Sequence, residues 1–261
     1  MAVYTEVTDE ALSAFLTDYD IGQGVSLKGI AEGVENTNYM LFTEQGPFIL
    51  TLYEKRVEAA DLPFFLGLME HLAEHNVACP TPIHGRDGAV LRELCGRPAA
   101  VTSFLSGVSP VRPSPKQCAG VGAALARLHL AGSGYTTRRA NALSHAGWRQ
   151  LFELSAPGAN DVEPGLADML DREIDHLDAN WPTDLPAGVI HADLFPDNVF
   201  FERERLTGLI DFYFACNDYL IYDLAICLNA WCFEPDLSFN VTKARLMTAA
   251  YRRERSISQA E

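Results

Sequence analysis

Apolar positions follow two patterns along this chain. Up to about Leu105 they come in short alternating runs, and from Pro115 onward they recur at helical spacing. Thr8–Leu16 predicts a short helix capped by Thr8, with Leu12, Phe15 and Leu16 on one face. Ser26–Ile30, Asn38–Thr43 and Pro47–Tyr53 predict strands separated by Gly-bearing turns. In the third, Phe48, Leu50 and Leu52 alternate with Ile49, Thr51 and Tyr53, giving a strand with two usable faces. Leu62–His75 predicts a helix that buries Leu62, Phe65, Leu66, Met69 and Leu72, with Asn76 at its end. Pro80 and Pro82 enforce extended chain, Arg86-Asp87-Gly88 predicts a hairpin turn between Ile83 and Val90–Leu91, and Ala99–Leu105 reads as a further strand.

Ser106–Lys116 is rich in proline and reads as a linker. Beyond it Ser114 and Pro115 form an N-cap and first-turn pair, and Cys118, Val121, Leu125 and Leu128 draw an apolar stripe through Leu130. Trp148–Leu154 and Pro164–Asn180 predict two more helices. The pattern therefore describes an α+β, bilobal protein: a sheet-rich lobe over residues 1–105 and a mainly helical lobe over 106–261, with a cleft between them as the expected ligand site.

Composition narrows the function classes. The 35 acidic against 20 basic residues give a formal charge of −15, which repels a polyphosphate backbone and argues against a nucleic-acid partner. The N-terminus carries acids where a signal peptide has a basic region, and the most apolar late stretch, Leu220–Phe233, is short and holds Asp223 and Asn229. A cytoplasmic protein without a membrane partner is expected. The six cysteines form no CxxC pair and no zinc-spaced Cys/His cluster, so they read as reduced and mostly buried. The polar end Arg255–Glu261 reads as disordered, and a chain truncated there is one reading of it. Oligomeric state is not legible.

Chemistry concentrates in residues 188–212. The apolar run Gly188–Ile190 leads into His191-Ala192-Asp193-Leu194-Phe195-Pro196-Asp197-Asn198. Val199–Phe201 then reads as a strand, Glu202–Arg205 as a turn and Leu206–Ile210 as the return strand that delivers Asp211. A hairpin brings its far end back to its start, so Asn198 and Asp211 are expected to be neighbours. An amide oxygen and a carboxylate that converge suit Mg²⁺, which takes few protein oxygens and leaves positions for water and phosphate. Asp193 on the same loop can accept the proton of an attacking hydroxyl. Phosphoryl transfer asks for little more than positioning and charge neutralisation.

The H-x-D-x-x-x-x-N loop and the following Ile210-Asp211-Phe212 resemble the catalytic and metal loops of the protein-kinase-like fold. Val189–Asn198, Ala124–His129 and Tyr222-Asp223-Leu224-Ala225 resemble the aminoglycoside phosphotransferase and choline kinase superfamily. Residues 33–39, Leu50–Lys55, Leu62–Phe65, Ile210–Asp218 and Leu228–Cys232 are similar to the bacterial homoserine kinases of that superfamily.

The resemblance implies a small antiparallel-sheet N-lobe, a helical C-lobe, and transfer from ATP, with Mg²⁺, to the hydroxyl of L-homoserine, a step of threonine biosynthesis. Asp193 would be the catalytic carboxylate, His191 its brace, and Asn198 and Asp211 the metal ligands. Gly33, Asn36, Thr37 and Asn38 would cover the phosphates, Thr51 would stand near them, and Ser103, Phe104 and Leu105 would form the adenine hinge. Asp223 would support the catalytic loop. Asp218 is a candidate for the substrate ammonium, and Trp231 for either core or pocket wall. One departure stands out: Thr51 occupies the strand position where the fold carries a phosphate-positioning lysine, with Lys55 and Arg56 the nearest cations in sequence and Phe65 where the lysine's acidic partner is expected. The alternatives are a kinase for another small alcohol (an aminoglycoside, choline or methylthioribose) and an inactive pseudokinase acting as a binding module.

Overall fold

The computed structural model describes residues 4–31, 36–54 and 58–261. The first helix, α1 (Asp9–Leu16), starts where Thr8 accepts the Ala11 N–H at 3.2 Å. Strands β1 (Gly24–Gly29), β2 (Thr37–Thr43) and β3 (Gly46–Leu52) follow, then helix α2 (Leu62–Glu74), β4 (Arg92–Leu94) and β5 (Arg97–Ser103). These five strands form one antiparallel sheet in the order β1-β2-β3-β5-β4. The two faces expected of β3 are both used. Leu50 and Leu52 pack with Leu12, Phe15 and Leu16 of α1, whereas Tyr53, just beyond the strand, enters the larger core with Leu62 and Phe65.

The hairpin lies elsewhere than the sequence pattern suggests. Arg86–Gly88 closes only a local turn through Gly85 and Ala89, and the paired strands are β4 and β5, with Leu94 opposite Arg97. Their two-residue connection, Cys95-Gly96, has positive φ at both positions (53° and 71°), the geometry that suits the twist of a tight hairpin. Cysteine is not a usual residue there, so the turn carries no sequence signal.

The helical lobe begins with α3 (Pro115–Gly132), opened by a reciprocal capping box between Ser114 and Gln117. Then come α4 (His145–Val162) and α5 (Leu166–Asn180), β6 (Ala187–Ile190), β7 (Val199–Glu202), β8 (Arg205–Leu209), β9 (Cys216–Tyr219), α6 (Leu220–Trp231) and α7 (Val241–Glu254). Helix α4 outruns its predicted span and continues through Pro157, on a largely exposed helix. Helix α3 is the axis of the lobe. A side chain at Gly122 would collide with the Met247 carbonyl, so its absence lets α7 lie directly on α3. The end of the chain is tied rather than loose: Arg255 pairs with Glu261 at 2.7 Å and its Nη1 donates to the Tyr251 hydroxyl at 3.1 Å. Of the six cysteines, all free thiols, only Cys95 is exposed. No described helix is long and apolar enough to cross a membrane.

Candidate active site

The loop that joins β6 to β7 carries His191, Asp193 and Asn198, and it is held at each end by backbone pairing. On one side β6 pairs with β9, and on the other β7 returns through β8. Val199 lies opposite Leu209, so the Ile210 N–H reaches the Asn198 carbonyl at 3.0 Å and Asp211 follows immediately. The hairpin thus brings Asp211 beside Asn198.

Asn198 is buried, and its amide nitrogen donates to both the backbone carbonyl of Asp193 (2.8 Å) and the carboxylate Oδ2 (2.9 Å). Two acceptors fix which end of the amide faces Asp193, and the amide oxygen therefore faces away from it. An Asn oxygen and the Asp211 carboxylate are a donor set for a hard cation that keeps several waters. Among the described residues no group of three or more His, Cys, Asp or Glu gathers as for a metal. Asp211 sits in the left-handed region (φ 64°, ψ 65°) and Ala192 does likewise (φ 65°), conformations that cost non-glycine residues energy and persist when neighbours impose them.

Those neighbours are His191 and Asp223. Asp223, wholly buried on α6, accepts the N–H of His191 at 2.7 Å and that of Ala192 at 3.0 Å. His129 of α3 bonds the same carboxylate at 3.1 Å and reaches the Tyr251 hydroxyl of α7 at 2.7 Å with its other nitrogen. Burial opposes the charge of Asp223, but the hydrogen bond and charge of His129, with His191, outweigh it and hold the carboxyl below its ordinary value. The His191 ring meets the Asp193 N–H with Nδ1 (3.3 Å) and the Ile210 carbonyl with Nε2 (3.0 Å). That pairing makes Nδ1 the acceptor and Nε2–H the donor of a neutral imidazole. Burial lowers the His191 pKa, against the pull of Asp223, and keeps the ring in that form. His191 therefore ties the Asp193 loop to the Asp211 segment. Trp231 lies in the core rather than on a cavity wall, donating its indole N–H to the Leu194 carbonyl at 2.7 Å.

On the sheet side, Thr51 opposes Asn38 across β2 and β3 and donates to its side-chain oxygen at 2.8 Å. Thr37 donates to Glu54 at 2.8 Å, and Asn36 accepts the Glu54 N–H at 3.3 Å. Phe65, at the position expected to carry an acid, is buried edge-on against Tyr213 at 5.6 Å. Among the described residues no buried charge replaces the missing lysine and its partner here; Tyr53, Phe65 and Tyr213 pack together beside β3 and α2, which avoids an uncompensated ion. Gly33, Lys55 and Arg56 lie outside the described residues. Ser103 ends β5, its hydroxyl accepting the Thr81 N–H at 2.9 Å, and Phe104 and Leu105 follow it directly.

A cavity of about 260 Å³ opens beside the loop, between Ala192, Tyr213 and Phe214 on one side and Asp61, Arg139 and Asn141 on the other. Asp218 does not line it. Its carboxylate takes the Asn141 amide and the Tyr219 N–H, both at 2.7 Å, so it meets the cavity only through Asn141. Arg139 and Asn141, absent from the sequence motifs, carried no signal because they lie far from the catalytic loop in the chain.

An Asp–Asn loop followed by a hairpin and a second Asp, under a five-stranded sheet, is the arrangement of a phosphotransferase. A model of the phosphotransferase enzyme family matches residues 26–257. Solved structures share the fold at low identity: an amicoumacin kinase (TM-score 0.73, 17% identity, 96% of this chain and 79% of that one) and an aminopropanol kinase (0.67, 19%, 95% and 81%). Over its whole length the chain is 63% identical to a homoserine kinase of Nitrobacter winogradskyi, covering 80% of that relative, and 61% identical to one of Rhodospirillum rubrum, covering 81%. The chain belongs to this phosphotransferase family and, within it, to the homoserine kinases.

Proposed function

We propose that the protein phosphorylates the side-chain hydroxyl of L-homoserine with ATP and Mg²⁺, giving O-phospho-L-homoserine and ADP, and does so in the cytoplasm as a step of threonine biosynthesis. The observation that carries this reading is the Asp193–Asn198–Asp211 grouping in a chain about three-fifths identical, end to end, to homoserine kinases. The cavity supports it: about 260 Å³ is below the ~300–1,000 Å³ typical of sites for drug-sized ligands and suits a small acceptor.

In this reading the Asp193 carboxylate, steadied by the Asn198 amide, orients the acceptor hydroxyl and takes its proton. The hydroxyl oxygen bonds to the γ-phosphorus as the bond from that phosphorus to the β–γ bridging oxygen breaks, and ADP leaves. Asn198 and Asp211 would hold magnesium, which neutralises phosphate charge when bound. Residues 33–38 would cover the phosphates, with Thr51 polar but uncharged beneath them, and Phe104 and Leu105 would present backbone groups to adenine. The same reading divides the chain into a nucleotide-binding lobe, residues 1–105, and a catalytic lobe, 106–261.

The test is ADP release from Mg-ATP with L-homoserine, choline, an aminoglycoside, methylthioribose, threonine or no acceptor. Turnover that requires homoserine, and falls by about 10²–10⁴ in Asp193→Asn, is expected for a lost general base. Preference for a different alcohol would overturn the substrate, and undiminished turnover in the variant would overturn the catalytic role.

A further inference from the structure

Of the residues that line the cavity beside Ala192, Arg139 is the only cation among those described. It stands in the segment between α3 and α4, held from three directions. Its Nε donates to Asp61 at 2.7 Å, its Nη1 to the Ala215 carbonyl at 3.2 Å, and its guanidinium lies over the Phe65 ring, 5.0 Å from the centroid. Backbone bonds fix the base of the side chain as well. The Arg139 N–H reaches Asn217 Oδ1 at 2.9 Å, and its carbonyl accepts the Asn217 N–H at 2.7 Å. Nη2 donates to nothing among the described residues.

A guanidinium has five N–H groups in a rigid fork, and this one spends two of them on the protein. The side chain keeps a quarter of its exposure, so the remaining donors are still reachable. An immobilised Arg with open donors in a small cavity is the arrangement that captures a carboxylate with geometric specificity. The opposite sign is present too, since Glu58 and Asp61 line the same cavity. The wall therefore complements a zwitterion, with the cation near Arg139's own segment and the acids at the start of α2.

We infer that Arg139 is the specificity-determining residue of the acceptor site and binds the α-carboxylate of an amino-acid alcohol, while Asp61 positions it. The inference rests on the homoserine reading and deepens it. The acceptor lies across the cavity with its carboxylate at Arg139 and its hydroxyl towards the Ala192–Asp193 turn. Loss of the carboxylate leaves the remaining Arg139 donors without an acceptor in the closed complex, so an amino alcohol lacking it is rejected.

The experiment compares L-homoserine with 3-aminopropan-1-ol, which keeps the amine and hydroxyl and lacks the carboxylate, in the wild type, Arg139→Gln and Arg139→Lys. In the wild type, kcat/KM favours homoserine by about 10² or more. Arg139→Gln raises KM for homoserine about 10²-fold, leaves KM for ATP unchanged and brings the two acceptors close to parity. Arg139→Lys, which keeps the charge without the fork, falls between. An unchanged homoserine preference in Arg139→Gln overturns the assignment while the kinase reading stands. If the variants do not fold, equal use of the two acceptors by the wild type overturns it alone. A wild type inert towards homoserine overturns the substrate reading, and this inference with it.

Discussion

Asp223 takes the His191 N–H with one carboxylate oxygen and the Ala192 N–H with the other. An aspartate 32 residues downstream thereby sets the backbone path of the catalytic loop, including the left-handed turn at Ala192. Asn in its place offers one acceptor for two N–H donors and turns an NH₂ towards one of them. An unsatisfied buried donor costs about 1–3 kcal/mol. Asp223→Asn is expected to melt roughly 4–10 °C lower. Its kcat is expected to fall about 10²-fold, as for a misplaced reacting group. A thermal melt and initial rates check both.

The buried imidazole of His191 makes stability sensitive to mild acid. Its folded pKa is depressed below the unfolded value, so the unfolded chain binds the proton more readily. The neutral ring's contribution is complete above ~6.5 and is lost as pH falls from there towards the folded pKa. Asp223, also depressed, adds a loss only at the lower pH where carboxylates protonate. Melting temperature measured from pH 8 to 5 is expected to decline below about 6.5. His191→Gln is expected to flatten that slope, and an equal slope in both proteins would assign the acid sensitivity elsewhere.

Asn198 joins the Asp193 carboxylate, proposed to meet the hydroxyl, to Asp211, its partner in the proposed magnesium pair. Asn198→Ala removes the donor to Asp193 Oδ2 and the candidate metal oxygen together. The half-saturating Mg²⁺ concentration is expected to rise at least about 10-fold, with kcat also lowered. Chelation is expected to abolish wild-type turnover, and added Mg²⁺ to restore it. Titration of rate against free Mg²⁺ separates the variant from a merely unstable protein.

At Gly122 α3 comes close against the Met247 backbone of α7, and α7 carries Tyr251 onto His129. Gly122→Val drives a side chain into the Met247 backbone, which cannot yield as a flexible side chain would. Overpacking of this kind costs about 1–3 kcal/mol or more. A lowered melt with a disproportionate loss of kcat is expected, because the displaced helix also releases the Tyr251–His129–Asp223 chain.

What could be read from sequence was short in range. His191, Asp193 and Asn198 lie within one loop, and the β7–β8 hairpin that returns Asp211 is itself local, so spacing alone anticipated their meeting. The alternation in β3 foretold two buried faces because a strand's period is fixed by its backbone. Contacts over long separations left no such trace. His129 meets Asp223 from 94 residues away, and Arg139 meets Asp61 from 78. The Cys95-Gly96 turn was invisible because its conformation, not its residue type, makes the hairpin. Helix α4 ran past Pro157 where composition suggested a shorter element.

Two adjacent residues of α6 face different ways. Tyr222 lines the acceptor cavity, whereas Asp223 is sealed inside and grips the catalytic loop. Neighbours on a helix point about 100° apart, so a single turn of chain can serve both tasks without one constraining the other. The parts proposed to choose the acceptor, at Tyr222, Arg139 and the segment before α4, are thus free to drift in evolution while the proposed phosphoryl-transfer apparatus stays as it is. A lineage could acquire a new alcohol substrate by replacing a few cavity residues and inherit the chemistry unaltered.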